Sequence, residues 1–335
     1  MFRLIYEYII LVFNTKKMNY RTLDRFRGAW LGSMLGSLIE LRAVGKHRYR
    51  AEIGLQFFIL REQLAKITID SQRSDADAIA DLLVRESQSD RHVVLAEYSY
   101  CLSLLPLIIF YGDNWNLLQK IVRKYCLKLG NLLHNSELEA DILLWSYFLT
   151  SILNSGLELN SEYFSQSIGQ TLMNVGGKKT VLTTQLEVVI TAIERGVSLY
   201  QLSDKLLSEG NKGQSAIALS CYCFATTATD FRLSVQRASS LDPEIAGLTT
   251  ALTGTVSGAY NGMAGIPLSW KKMANKNTAY SLASQTVLKL FRAWLGIYQA
   301  ESEPESNLEI QAIAVPSLIQ TRKSLKIISQ KSLFN

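Results

Sequence analysis

Apolar residues recur at spacings of three and four along nearly the whole chain, the period of a helix with one buried face. From Thr22, the run Leu23, Phe26, Trp30, Met34 and Leu38 predicts one such helix. The same segment carries Gly28, Gly32 and Gly36 at fourfold spacing. Glycine costs about 1 kcal/mol in a helix interior relative to alanine, so three in register predict a second backbone approaching closely and a central helix. A second pattern starts at Ser136, which with Glu139 has the spacing of a capping box, and continues through Leu138, Ile142, Trp145 and Leu149. A third lies between Pro243 and Pro267, with Ile245, Leu248, Leu252 and Val256 on one stripe and Gly254, Gly258 and Gly262 on another. In lipid, that small-residue spacing joins membrane helices. Here the run is laced with Thr and Asn, which favours close packing inside a helical bundle.

Shorter helical patterns follow Asp75 (Ile79, Leu82, Leu83) and run through 117–129, 181–195, 215–225 and 279–299. No alternating β pattern persists beyond four or five residues, and no internal repeat is visible. The expected fold is therefore all-α, an orthogonal multi-helix bundle over residues 20–300. The 335 residues contain only 5 prolines, none of them within 107–242, so nothing in that stretch interrupts long helices. With 48% hydrophobic and 19% charged residues, the chain can bury one large core. Cys101, Cys126, Cys221 and Cys223 sit in apolar runs without zinc-ligand spacing, which predicts buried, reduced thiols and a cytoplasmic setting.

The net charge of +6 is unevenly placed. Residues 1–74 carry 13 Lys/Arg against 6 Asp/Glu, residues 75–300 carry 18 against 19, and residues 301–335 carry 4 against 4. An excess confined to the amino end does not make the basic, aromatic-laced surface that nucleic acid needs. Met1–Phe13 is apolar, but a membrane span takes about 20 such residues, so integral insertion is not expected. Residues 1–19 are expected to be an N-terminal extension, either a start-site artefact or a weak membrane-surface anchor. Residues 301–335 turn polar and then basic, and a flexible tail is expected there.

One family shares these motifs in this order. Phe224 to Trp270 resembles the ADP-ribosylglycohydrolase family, which includes the dinitrogenase-reductase-activating glycohydrolases. Asp230-Phe231 opens a helix, Val235 to Ala238 continues it, Gly254 to Gly262 stud the next, and Ile266-Pro267 with Trp270 follow. Arg25 to Gly32 is similar to the family's opening helix, and His134-Asn135 to its Thr-His loop. The resemblance covers about residues 20–295. It implies magnesium-dependent hydrolysis of an ADP-ribosyl N- or O-glycosidic bond, with ADP-ribose or an ADP-ribosylated protein as ligand.

The metal motifs are degenerate. The family's early Thr-Asp-Asp cluster falls on Ser74-Asp75-Ala76-Asp77, so the resemblance implies Asp75 and Asp77 as catalytic and magnesium-binding residues, with Ser74 and His134 contacting the ligand. Its second cluster, Asp-Thr-Asp-Thr, falls on Ile245, Ala246, Gly247 and Leu248, and the aspartate after the opening helix is replaced by Ser37. Magnesium takes oxygen ligands in near-octahedral geometry, which these side chains do not supply. Two readings of Asp242 stand. With Glu244 it flanks Pro243 near the missing cluster and would serve as a relocated metal ligand; or it caps the helix that Pro243 begins. Asp75 and Asp77, near a helix start, likewise suit the positive end of the helix dipole. The alternative to an enzyme is an inactive relative that binds an unknown protein partner as a regulatory module, with no cofactor.

Overall fold

The structure, a computed structural model, describes residues 21–39, 60–69, 95–133, 137–154, 179–276 and 278–297. Among the described residues there are 13 helices and no strand, as the periodicity predicts. In chain order they are α1 (21–39), α2 (60–69), α3 (Leu95–Ser103), α4 (Leu105–Tyr111), α5 (Trp115–Leu133), α6 (Leu138–Asn154) and α7 (Val181–Arg195). There follow α8 (Leu199–Glu209), α9 (Lys212–Ala225), α10 (Phe231–Ser239), α11 (Pro243–Gly265), α12 (Leu268–Asn275) and α13 (Thr278–Trp294).

Local chemistry marks the boundaries. Pro106 sits in the first turn of α4 and Pro243 in that of α11, where a missing N–H leaves no bond unmade. Thr180, Ser198, Asn211, Asp230 and Asp242 cap α7 to α11 through their side chains, each accepting a backbone N–H that the helix cannot satisfy itself. Capping boxes occur at Thr180/Thr183 and Ser198/Gln201. The one expected at Ser136 is not described at its first residue; the Glu139 carboxylate lies 3.4 Å from Arg123 on the neighbouring α5. The last helix ends at Trp294, short of the expected 299, and Gly296 turns the chain there at φ 79°. The pattern after Asp75 and the segments 1–19 and 301–335 lie outside the described residues.

The glycine stripes predicted on two helices face each other. A Cβ added to Gly32 would fall on the carbonyl oxygen of Gly254, one on Gly28 on that of Gly258, and one on Gly36 on that of Thr250. The relation is reciprocal, since Cβ atoms on Gly254 and Gly258 would meet the oxygens of Gly32 and Gly28. Rising numbers on α1 meet falling numbers on α11, so the two run antiparallel with their backbones touching. Such separations bring Cα–H groups against carbonyl oxygens, a weak attraction repeated along the contact. At the far end Gly262 takes φ 64° and ψ −173°, a conformation essentially confined to glycine, and kinks α11 beside the Asp24 carboxylate.

This pair organises the core. α11 also packs against α9 and α10, and α9 against α7. Residues 213–224 of α9 and 249–259 of α11 are buried without a break, the mark of helices enclosed on all sides. On one flank of α1, Phe26, Trp30 and Met34 join the large cluster containing Trp145, Phe148 and Leu252. On the other, Leu31 and Leu35 meet Phe231, Val235, Ile266 and Ala274 in a smaller cluster, closed by Trp270 edge-on to Phe231. α2 docks through Arg61, which is fully buried, stacks 4.4 Å over the Trp30 ring and donates to Ser33 Oγ at 2.6 Å. Burial pulls its guanidinium down to about 10, against the pull of neighbouring Glu62, so it remains a cation at neutral pH.

Replacing Gly32 by Ala must push two backbones apart, so a loss of about 3 kcal/mol is expected in urea melts, at the upper end of overpacking effects. Gly196→Ala is the control. That residue has φ 63° with open space around it, and should lose only about 1 kcal/mol from conformational strain.

Candidate functional site

The positions that the family resemblance assigns to the second metal cluster lie in the first two turns of α11. Ile245 and Ala246 are buried in the main core cluster, Gly247 and Leu248 are half-buried, and Leu248 packs against that cluster. The hydroxyls that follow are turned inward on the helix itself: Thr249 donates to the carbonyl of Ile245 at 2.9 Å, and Thr250 to that of Ala246. No side-chain oxygen is offered at 245–248, so these residues do not fit a magnesium ion. Among the described residues, no group of three or more His, Cys, Asp and Glu side chains comes together as a metal site.

Asp242 acts as a helix cap. Its Oδ1 accepts from the Glu244 N–H at 2.8 Å, on the exposed surface, while the Glu244 carboxylate pairs with Lys212 of α9. Of the two readings of Asp242, the capping one describes its geometry. Ser74, Asp75, Asp77 and His134 lie outside the described residues. Ser37, where the family has an aspartate, donates back to the Ser33 carbonyl at 3.3 Å.

A buried polar cluster that sequence reasoning missed joins α6, α7 and α9. Asp141 is fully buried, and its Oδ1 accepts from Thr180 Oγ1 at 2.7 Å while Oδ2 accepts from Gln214 Nε2 at 2.8 Å. The same amide nitrogen donates to Glu137 Oε2 at 2.9 Å, and that oxygen also accepts the Val181 N–H at 3.2 Å. Both Gln214 protons thus go to carboxylates, as the two-donor amide permits. Thr180 works in both directions, giving its proton to Asp141 and accepting the Thr183 N–H at 3.2 Å. Two acids therefore sit at the amino end of α7, where the dipole favours negative charge. With its oxygens engaged, Asp141 is suited to clasping three helices and not to abstracting a proton. The signal for it was an aspartate inside an otherwise apolar helix stripe.

The cysteines carry no reactive chemistry. All four are free and buried. Burial, reinforced by the charge of Asp141, pushes the Cys101 thiol well up, and burial pushes Cys221 and Cys223 up to about 12. Buried thiols with raised pKa values present little thiolate, so folded protein should react with a disulfide reagent at pH 8 orders of magnitude more slowly than protein in denaturant. For the polar cluster, Gln214→Leu removes the donor shared by two carboxylates and should cost about 1–3 kcal/mol in thermal or urea melts.

In comparisons with known proteins, no family model matches the chain. No curated protein matches it either. Among solved structures, it is similar to an ADP-ribosylglycohydrolase-related protein complex at 16% identity and a TM-score of 0.56, over 82% of this chain and 99% of that one. At that identity the likeness speaks for architecture alone: the chain has an all-α, ADP-ribosylglycohydrolase-like fold.

Proposed function

We propose that this chain is an ADP-ribosylglycohydrolase-like scaffold that works as a binding or regulatory module and not by two-magnesium hydrolysis. The observation that carries the reading is the first turn of α11, where Ile245 and Ala246 are sealed into the core. Binuclear sites work by holding two cations between charged clusters, activating water and steadying developing charge. Removing one cluster removes much of the negative charge that keeps two cations together. An aliphatic first turn goes further, because seating a cation there would mean desolvating it against hydrocarbon. The ligand suited to the scaffold is ADP-ribose, an ADP-ribosylated protein, or a protein partner. Buried reduced thiols suit a cytoplasmic setting.

The fold likeness favours the competing reading, in which the chain hydrolyses an ADP-ribosyl glycosidic bond. In that case Asp75 and Asp77 would supply the remaining oxygen ligands, Ser74 and His134 would contact the ligand, and magnesium would provide the Lewis acidity.

The two readings separate in a pair of measurements on the full chain. Thermal melts with ADP-ribose, with and without magnesium, should show no magnesium-dependent rise, because only a ligand bound by the native state raises apparent stability. Incubation with an ADP-ribosylated peptide should release no ADP-ribose. Release that disappears in Asp75→Ala would overturn the proposal and restore the hydrolase.

A further inference from the structure

The two sides of α12 have opposite characters. Ala274 is buried in the smaller cluster, Trp270 and Met273 pack against it, and the Trp270 ring stands edge-on to Phe231 with centroids 5.9 Å apart. The other side faces out. Leu268 is 66% exposed, Lys272, Asn275 and Lys276 are exposed, and Lys271 is half-buried. At about 3.6 residues per turn, Leu268, Lys271, Lys272 and Asn275 share one side of the helix.

The surrounding sequence leaves these lysines uncompensated. From Ile245 to Ala300 the chain has five Lys/Arg and no Asp/Glu. α12 packs against α13 directly, and against α1 and α10 through the smaller cluster. The carboxylates of those elements are engaged elsewhere: Asp24 lies against Gly262, and Asp230 Oδ1 accepts the Leu233 N–H at 2.9 Å. At the far end of α11, Asp242 caps the helix and Glu244 pairs with Lys212. Among the described residues, Lys271, Lys272 and Lys276 have no ion-pair partner.

We infer that the outer side of α12 is a docking surface for an acidic segment of a partner protein. Its lysines meet carboxylates, and Leu268 meets an aliphatic side chain among them. Charge complementarity of this kind sets specificity and association rate more than raw affinity. A helix of 8 residues is about 12 Å long, which suits a short linear segment and a transient, salt-sensitive complex. A helix lying on a bilayer buries a broad apolar face, and in α12 that face is committed to the smaller cluster. Single-stranded nucleic acid stacks on free rings, and Trp270 is already held by Phe231. The surface is independent of the chemistry of the helical core: detection of ADP-ribosyl hydrolysis would overturn the binding-module reading and leave this surface standing, and failure of an acidic peptide to bind would do the reverse.

The test is fluorescence anisotropy of the full chain with a labelled twelve-residue peptide of glutamates around two central leucines, at low salt. The reference is the same peptide with glutamine in place of glutamate. The glutamate peptide should bind at least about tenfold tighter, and its binding should fall steeply as salt is raised. Lys271→Glu, Lys272→Glu and Lys276→Glu together should weaken it about tenfold or more, and Leu268→Ser about threefold. Lys120→Glu with Lys205→Glu, two exposed lysines on α5 and α8, should change it by less than about twofold, which controls for general charge. Equal binding of the two peptides, wild-type binding by the triple variant, or an equal loss in the control would overturn the proposal. So would a chain that ignores the glutamate peptide and uses the same lysines to bind phosphatidylserine vesicles or polyuridylate. Should the triple variant lose its fold, Lys272→Gln alone should still weaken the peptide about threefold, and no change there would count against the surface equally.

Discussion

The backbone-to-backbone contact of α1 and α11 is the constraint on which the other packing rests. Helices normally stand apart by the thickness of their side chains. At Gly28, Gly32 and Gly36 that thickness is removed, and the carbonyls of Gly258, Gly254 and Thr250 occupy the space. The remaining side chains of α1 are then forced to its flanks. Phe26, Trp30 and Met34 go to one side and Leu31 and Leu35 to the other, which is why the described residues form a large core and a small one on the two flanks of α1. Interiors packed at crystal-like density do not deform smoothly, so a methyl group here is felt throughout.

The same contact decides the character of the candidate site. Because α11 is enclosed along most of its length, the orientation of its first turn is set by the register of the glycines. That register aims Ile245 and Ala246 into the core. Three of its four threonines do not counter this, since Thr249, Thr250 and Thr255 return their protons to carbonyls four residues earlier, while the buried Thr253 hydroxyl makes no such bond. A helix rich in hydroxyls by composition thus presents an apolar exterior to its neighbours. A scaffold stiffened this way can tolerate loss of metal ligands at its helix starts, since its stability comes from glycine contacts and hydrocarbon.

The fold was largely legible because its central contact uses a signal with few other meanings. Glycine at fourfold spacing in a helix is costly unless a second backbone claims the space, and two such ladders in one chain point to each other. Asp230-Phe231 could be read as a helix opening through the family resemblance, while Asp242 beside Pro243 was open between a cap and a metal ligand until the structure showed the cap. What stayed hidden was pairwise and distant. Asp141 and Gln214 are 73 residues apart and Arg61 and Ser33 are 28 apart, and no local pattern says that a polar group will find its partner across the bundle. The kink at Gly262 was also missed, since periodicity continues across it while the dihedral angles do not. For the site, the aliphatic cluster at 245–248 could be read directly, because side-chain chemistry alone excludes magnesium there. Ser74, Asp75, Asp77 and His134 lie outside the described residues.

The antiparallel α1–α11 contact also has a meaning in time. Gly32 and Gly254 are about 220 residues apart, and a ribosome delivers roughly 5–20 residues per second, so α1 waits about ten to forty seconds for the helix that covers its bare stripe. Through that interval the glycine stripe of α1 has no backbone to cover it, although the apolar flank with Trp30 and Met34 gains partners such as Trp145 and Phe148 earlier. The order in which the chain is made runs against the order in which its packing depends, and the last third of the molecule licenses the first.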